Sequence, residues 1–296
     1  MTHRDLTLPT LDIEWLRRSP DFFRTSPQLP LVTQKERQAL PSFTTSLSLT
    51  PEELAGAIGR SGRWAELLWG RYLQTLRTPG LHLGLQLHHE GRTLGEFDAL
   101  IRLDHRWESW ELSVKRYRLA GDDPSSPKSW IGPNGRETPD KKYEHLKNHQ
   151  LALAQSPIAQ EALRTKGIEH VTKARAWVCG RLFWPLERYQ EERGVPPHLQ
   201  LPREDEFLSC GYSIQRANLE RIDIFQGLPS SARAEAQFLV LGRTSLFAPR
   251  RYPREMRTLA LDELPLQQTP KQGAEVALLL PVGAELIEAR RLWLLG

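Results

Sequence analysis

The sequence predicts an α/β protein built around a helix, three antiparallel strands, a second helix and a fourth strand. Three observations predict it. Residues 81–119 alternate apolar and polar side chains through three consecutive runs, the period of two expected of half-buried strands. Residues 63–78 and 139–155 place apolar residues at helical spacing on either side of that meander. Residues 171–184, VTKARAWVCGRLFW, form one more apolar run closed by Pro185, a strand expected to add in parallel after the second helix.

The chain of 296 residues is 39% hydrophobic and 26% charged, the composition of a globular protein with a sizeable core. No segment reaches the apolar length of a membrane span, and MTHRDLTLPTLDIEW lacks the basic and apolar regions of a secretory signal. Cys179 and Cys210 are isolated, which leaves no zinc motif or disulfide framework and makes the cytoplasm the expected location, with no membrane partner. A net charge of +4 suits a nucleic-acid partner without requiring one, and the clearest basic cluster, Arg250, Arg251, Arg254 and Arg257, also reads as solvated surface.

Taken in order, residues 1–49 are expected to form a helix and an arm. Leu11, Trp15 and Leu16 have helical spacing before Pro20, and residues 26–48 lack sustained periodicity and are expected to wrap as an arm or loop. A core is expected over residues 50–185 and an α+β elaboration packed on it over 186–296. Thr50-Pro51-Glu52-Glu53 has the form of a capping box with proline at the first helical position. Gly59, Ser61 and Gly62 divide that helix, and its second part exposes Trp64, Leu67, Leu68, Tyr72 and Leu76 on one broad side. Glu66 and Gln74 lie on a different stripe, where solvent exposure is the expectation and reaching the carboxylates of the sheet is the alternative.

In the meander, Leu81, Leu83, Leu85 and Leu87 alternate in the first strand, and Glu90-Gly91 supplies a hairpin turn. Phe97, Ala99, Ile101 and Leu103 share a face of the second strand, so Glu96, Asp98 and Arg102 share the other. In the third, Trp110, Leu112 and Val114 alternate against Glu111, Ser113 and Lys115. Two readings of the charged faces stay open. One is a solvated side of an antiparallel sheet. The other is a cleft in which acidic oxygens hold a divalent cation and a lysine orients water and offsets developing charge.

The connection GDDPSSPKSWIGPNGRETPDKK is a long loop with a turn at Asn134-Gly135, and Thr138-Pro139-Asp140 signals a helix start. Arg136 precedes that helix and Lys142 lies within it, both expected to meet nucleic-acid phosphates. The helix aligns Tyr143, Leu146, Gln150 and Leu153. Gln150, an amide in an apolar stripe, requires a polar partner or a position at the rim. His145 and His149 have metal-pair spacing but no intervening glutamate and read as surface residues. Beyond residue 190, strands are expected at 206–214 and 236–248, a basic loop at SLFAPRRYPRE, and core in AEVALLLPVGAELIEARRLWLLG.

The helix, three-strand, helix, strand order, together with LGEFDALI and WELSVKRYRL, resembles the PD-(D/E)XK nuclease superfamily and its restriction-endonuclease-like αβββαβ core. Gly95-Glu96-Phe97-Asp98 is similar to its second motif, and Val114-Lys115 to the end of its (D/E)-x-K strand. LDIEWLRRSPDF, WGRYLQTL, WIGPNGRETPDKK with NHQL, and ARAWVCGRLFWP extend the resemblance to a bacterial domain-of-unknown-function family linked to those nucleases, over residues 10–190.

What the resemblance implies is a Mg²⁺- or Mn²⁺-dependent phosphodiesterase acting on DNA. In it Asp98 and Glu111 hold the metal, Glu96 is an alternative ligand, Lys115 is the lysine, and Gln150 orients the site. This sequence departs from the pattern at Ser113, where the carboxylate is expected. Glu111 lies one pleat further away on the same face, roughly 7 Å along the strand. The departure carries an alternative: a nuclease-fold module without catalysis that binds nucleic acid or a protein partner.

Overall fold

The computed structural model describes residues 8–43, 47, 49–57, 61–188, 199, 210–219, 221–242, 247–248, 251–264 and 273–295. They form a mixed α/β structure. In chain order the helices are α1 (Leu8–Arg18), α2 (Gln34–Ala39), α3 (Pro51–Ala57) and α4 (Ser61–Thr75), then strands β1 (Leu81–His89), β2 (Arg92–Leu103), β3 (Arg106–Leu119) and β4 (Trp130–Ile131). Next come α5 (Pro139–His145), a π-helical turn (Leu146–Gln150), α6 (Leu151–Leu153), α7 (Pro157–Arg164) and β5 (Val171–Pro185). The last elements are β6 (Cys210–Gln215), the short helix α8 (Ala232–Glu235), β7 (Gln237–Val240), β8 (Arg251–Pro253), β9 (Ala274–Val282) and β10 (Glu285–Leu295). Among the described residues no helix is long and apolar enough to cross a membrane.

The chain divides into two compact units. The first comprises residues 1–115, 140–180 and 198–200, the second residues 116–139, 181–197 and 201–296.

Local signals start the elements of the first unit. Thr50 accepts a hydrogen bond from the Glu53 amide while Glu53 accepts one from the Thr50 amide, so the expected capping box starts α3. A second box, Thr33 with Glu36, starts α2. This corrects the expectation of an irregular arm over residues 26–48; the T-x-x-E pattern that signals the helix was present in the sequence. The expected division at Gly59 lies outside the described residues. Hairpin turns at Glu90-Gly91 and Asp104-His105 have positive φ at both positions, the geometry that matches the twist of the flanking strands.

β1 pairs antiparallel with β2, and β2 with β3 from Leu103–Arg106 to Ala99–Trp110. β5 follows β3 in strand order. The Thr172 hydroxyl donates to the Trp107 carbonyl at 3.1 Å, Lys173 pairs with Glu108 at 3.6 Å, and Trp177 lies 6.2 Å from Trp110. Successive positions meet successive positions, so the two strands run in the same direction.

Trp177 gathers this unit. Its ring meets Trp69 of α4 edge-on at 6.1 Å and Tyr72 at 6.3 Å, and the Arg37 guanidinium lies 5.5 Å from its centroid. Its indole N–H donates to the Leu16 carbonyl at 3.1 Å, securing α1. In α1 Pro9, Asp12, Ile13, Trp15, Leu16 and Arg17 are buried, whereas Leu11 is 43% exposed. The expected membership of Leu11 in the apolar stripe is therefore corrected. Asp12 takes the inward position because its carboxylate accepts from the Trp64 indole at 2.9 Å. Gly180 allows Phe22 to lie against β5: a Cβ there would stand 2.2 Å from the ring.

In the second unit β6 pairs parallel with β5 from Leu182–Cys210 onwards and parallel with β10. β9 and β10 form a hairpin, with β7 on β9 and β8 on β10. The expected strand at 206–214 appears as β6, its earlier residues lying outside the described set. Of the strand expected at 236–248, β7 forms its first part and residues 243–246 lie outside the described set; the expected basic loop includes β8. Of the expected core residues Leu278, Leu279, Leu280, Leu292 and Trp293, all are buried except Leu280, which is partly buried against the core.

A buried ionic cluster accompanies that core. Arg291 donates to both oxygens of Glu288, at 2.6 and 2.9 Å, Arg291 lies 3.7 Å from Glu275, and Arg116 pairs with Glu275. In a regular strand Glu288 and Arg291 point to opposite faces. The register shift between Glu288 and Arg290 adds one residue to β10 and brings them together.

Replacing Trp177 with Ala removes an indole shared by α1, α4 and β3 and is expected to cost about 3–5 kcal/mol, the range for large aromatic truncations. Urea unfolding of the wild type and the variant measures the difference, and a loss below about 1 kcal/mol would contradict the indole's role.

Candidate functional site

The candidate site lies in the first unit, where β2 and β3 part. Their ladder ends at Ala99–Trp110. One step beyond, Asp98 Oδ2 accepts from the backbone N–H of Leu112 at 2.9 Å, so a side chain substitutes for the missing ladder bond. The antiparallel register places Asp98 opposite Glu111, and opposed residues project to the same face.

Neither face of β3 is solvated here. Trp110, at 1% exposure, turns towards Trp177; Glu111, also at 1%, and Ser113, at 4%, turn the other way and are buried as well. The solvated-side reading is thereby corrected at Glu111 and Ser113. The segment after β4 covers that second face. Gly95 of β2 lets it approach: a Cβ there would stand 2.8 Å from Leu153 Cδ2.

Gln150 ends the π turn and provides the polar partner that its position in the stripe demands. Its Nε2 donates to Glu111 Oε2 at 2.9 Å, and its Oε1 accepts from Lys142 Nζ at 2.8 Å. Lysine can only donate, so the amide oxygen must face Lys142 and the NH₂ must face the carboxylate. The other oxygen of Glu111, Oε1, is buried without a close hydrogen-bond partner, and the Glu111 carboxyl also interacts with the side chain and the backbone amide of Asp98.

Burial pushes the Glu111 carboxyl up to about 9, with the negative charge of Asp98 adding to the effect. Asp98 is raised as well, chiefly by desolvation, against the lowering effects of the Leu112 amide and of Lys142. Two carboxylates side by side in a dry pocket hold a proton until a cation displaces it.

A cleft of about 330 Å³ opens on the Asp98 side, lined by Glu66, Trp69, Gly70, Leu83, Glu96 and Asp98, among others. Glu66 is exposed, as its stripe predicts, yet its carboxyl is raised by desolvation and by the charges of Asp98 and Glu96. It thus reaches the acidic group from the flank. Glu96 is exposed and accepts from Gln86 Nε2 at 3.1 Å, which places it at the rim. Among the described residues no group of three or more His, Cys, Asp or Glu stands ready to hold a metal ion. Asp98 and Glu111 are the two carboxyls this site brings face to face.

The remaining candidates fall further out. Lys115 shares the face of Glu111 two pleats along β3 and is partly buried, roughly 13 Å away by strand rise. Lys142, expected to meet phosphates, bonds Gln150 and acts as a positive charge on both carboxylates. Arg136 is exposed and belongs to the second unit. His145 and His149 are exposed, with rings 5.2 Å apart. Cys179 is buried and its thiol is pushed up to about 11 by burial, the state of an inert structural cysteine.

The chain matches the family described as "Domain of unknown function (DUF1853)" over residues 11–294 and belongs to that family. Searches of curated proteins and of solved structures returned no match.

A carboxyl raised in the folded state binds more protons than it does unfolded, so stability falls as pH rises from its unfolded value of 4.5 through about 9. Metal-free wild type is expected to lose stability across that window at up to about 1.4 kcal/mol per pH unit. Glu111→Gln keeps the shape without the titration and should give a flatter profile. Denaturant midpoints measured from pH 5 to 9 check it, and equal slopes would refute the burial of an ionisable Glu111.

Proposed function

We propose that this chain is a divalent-metal-dependent phosphodiesterase acting on DNA, with α4, β1–β3, the helices after β4 and β5 as a restriction-endonuclease-like core. The observation that carries the reading is the Asp98–Glu111 pair: opposed carboxyls at a strand divergence, one ending in a buried oxygen without a close hydrogen-bond partner. That oxygen suits a cation. Mg²⁺ is commonly held by one or two protein carboxylates, with phosphate and water completing its octahedron, so two acids suffice where a phosphate is the substrate. Glu111 occupies this place although Ser113 stands at the expected position, because the register sets Glu111, not Ser113, opposite Asp98.

In this reading Asp98 and Glu111 hold Mg²⁺ or Mn²⁺, whose chemistry when bound is to polarise the phosphate and lower the pKa of attacking water. Asp98 is held by the Leu112 amide and Glu111 by Gln150. Glu96 and Glu66 add negative potential at the cleft mouth, which draws a cation in. Lys115 stabilises charge developing on the phosphate and positions water, and Arg136 contacts the nucleic-acid backbone.

The test is cleavage of duplex, single-stranded and branched DNA by the full chain with Mg²⁺ or Mn²⁺. Asp98→Ala is expected to abolish turnover, and Lys115→Ala to lower it by about 10² to 10³, the scale for losing one charge-stabilising donor. Unchanged cleavage by Lys115→Ala removes that lysine from the mechanism. Salt-sensitive DNA binding without cleavage, indifferent to Asp98→Ala, would replace the enzyme by a binding module.

A further inference from the structure

Lys142 and Gln150 are eight residues apart in a segment that is helical throughout. In an unbroken α-helix, eight residues overshoot two turns by roughly 80°, and the two side chains diverge. The π turn over Leu146–Gln150 accommodates about one extra residue and removes most of that overshoot. The result is the 2.8 Å contact between Lys142 Nζ and Gln150 Oε1. Single π turns cost hydrogen-bond geometry and are found most often at functional sites.

The contact fixes more than a rotamer. An amide side chain has two nearly isosteric orientations, one offering NH₂ to Glu111 and the other a carbonyl oxygen that would repel its ionised carboxylate. With Lys142 in place only the first is compatible with both neighbours. Gln150 then commits one oxygen of Glu111 to its own N–H and leaves Oε1 without a close partner, on a carboxyl that also interacts with Asp98. From this geometry we infer that Lys142 is a positioning residue for the carboxylate pair: acting through Gln150, it turns Glu111 so that Oε1 is presented to a divalent cation. Lys142 thus has a role distinct from phosphate binding and from that of Lys115. The inference rests on the metal-dependent reading above and adds to it the device that orients the ligand.

The experiment is calorimetric titration of the full chain with Mn²⁺, at constant pH and salt, for wild type, Lys142→Met, Lys142→Arg, Gln150→Leu and the Lys142→Met/Gln150→Leu double variant. Thermal unfolding of each verifies folding. Groups that orient metal ligands typically contribute ten- to a hundredfold to metal affinity, and losses of that size are expected for Lys142→Met and for Gln150→Leu. The double variant should bind no more weakly than Gln150→Leu alone, since Lys142 has nothing left to act through. Arginine at 142 can still donate to the amide oxygen and should keep affinity within a few fold of wild type.

A lysine that acts only as a nearby charge gives a different pattern: its effect adds to that of Gln150→Leu, or its removal tightens Mn²⁺ binding by relieving repulsion. Either result, or unchanged affinity in Lys142→Met, overturns the positioning role and leaves the metal site standing. Should Lys142→Met fail to fold, a Gln150→Leu variant that binds Mn²⁺ like wild type overturns it equally. Absence of Mn²⁺ binding by folded wild type removes the metal site itself, and the positioning role with it.

Discussion

The burial of Glu111 is the constraint on which the site depends. A carboxyl group at 1% exposure needs a donor, a proton or a cation, because an isolated charge in a dry interior is too costly to persist. The fold supplies the Gln150 amide as a donor, adds the Asp98 backbone amide, and places a second carboxyl opposite. Everything nearby serves that arrangement. β2 leaves β3 where Asp98 takes over the Leu112 amide, Gly95 admits the covering helix, and the π turn brings Gln150 round to the sheet.

Rigid packing on the opposite face makes that precision possible. Trp110 and Glu111 are consecutive in β3 and project to opposite sides, so whatever fixes the indole fixes the backbone that carries the acid. Trp110 meets Trp177, which holds α1 through a carbonyl and α4 through two aromatic edges. Aromatic side chains in tight mutual contact have few alternative arrangements. The helix layer therefore acts as a clamp on the strand that bears Glu111, while the acid side is covered by the helices after β4 and meets the cleft at Asp98.

The second unit shows a different way to bury charge. Glu288 and Arg291 satisfy each other with paired hydrogen bonds, and Glu275 is shared between Arg291 and Arg116. Here each acid has its cation, so the cluster is closed. The Asp98–Glu111 pair is not closed in this sense: Lys142 is one amide removed and the acids outnumber it. That contrast separates a charge-balanced ion network from a pair of acids with an excess of negative groups.

The sequence by itself determined the elements of the meander and the helices and strand that flank it, though not α2 or α7. Period-two alternation, capping patterns and glycine turns are local, and they specified the meander, α3, α4 and the strand after the second helix. Asp98, Glu111 and Gln150 were also legible as candidates, since polar residues in apolar patterns stand out without any knowledge of the fold. Tertiary structure decided what these residues meet. Both faces of β3 are buried because a second helix layer covers the acid side, which alternation in one strand cannot reveal. Glu66, read as exposed, is exposed but belongs to the acidic cleft. The bulge in β10 and the π turn each add a residue to a regular period, so Glu288 finds Arg291, and Lys142 finds Gln150, at spacings that regular strands and helices forbid. Such insertions are stabilised by contacts distant in sequence, and local patterns carry no record of them.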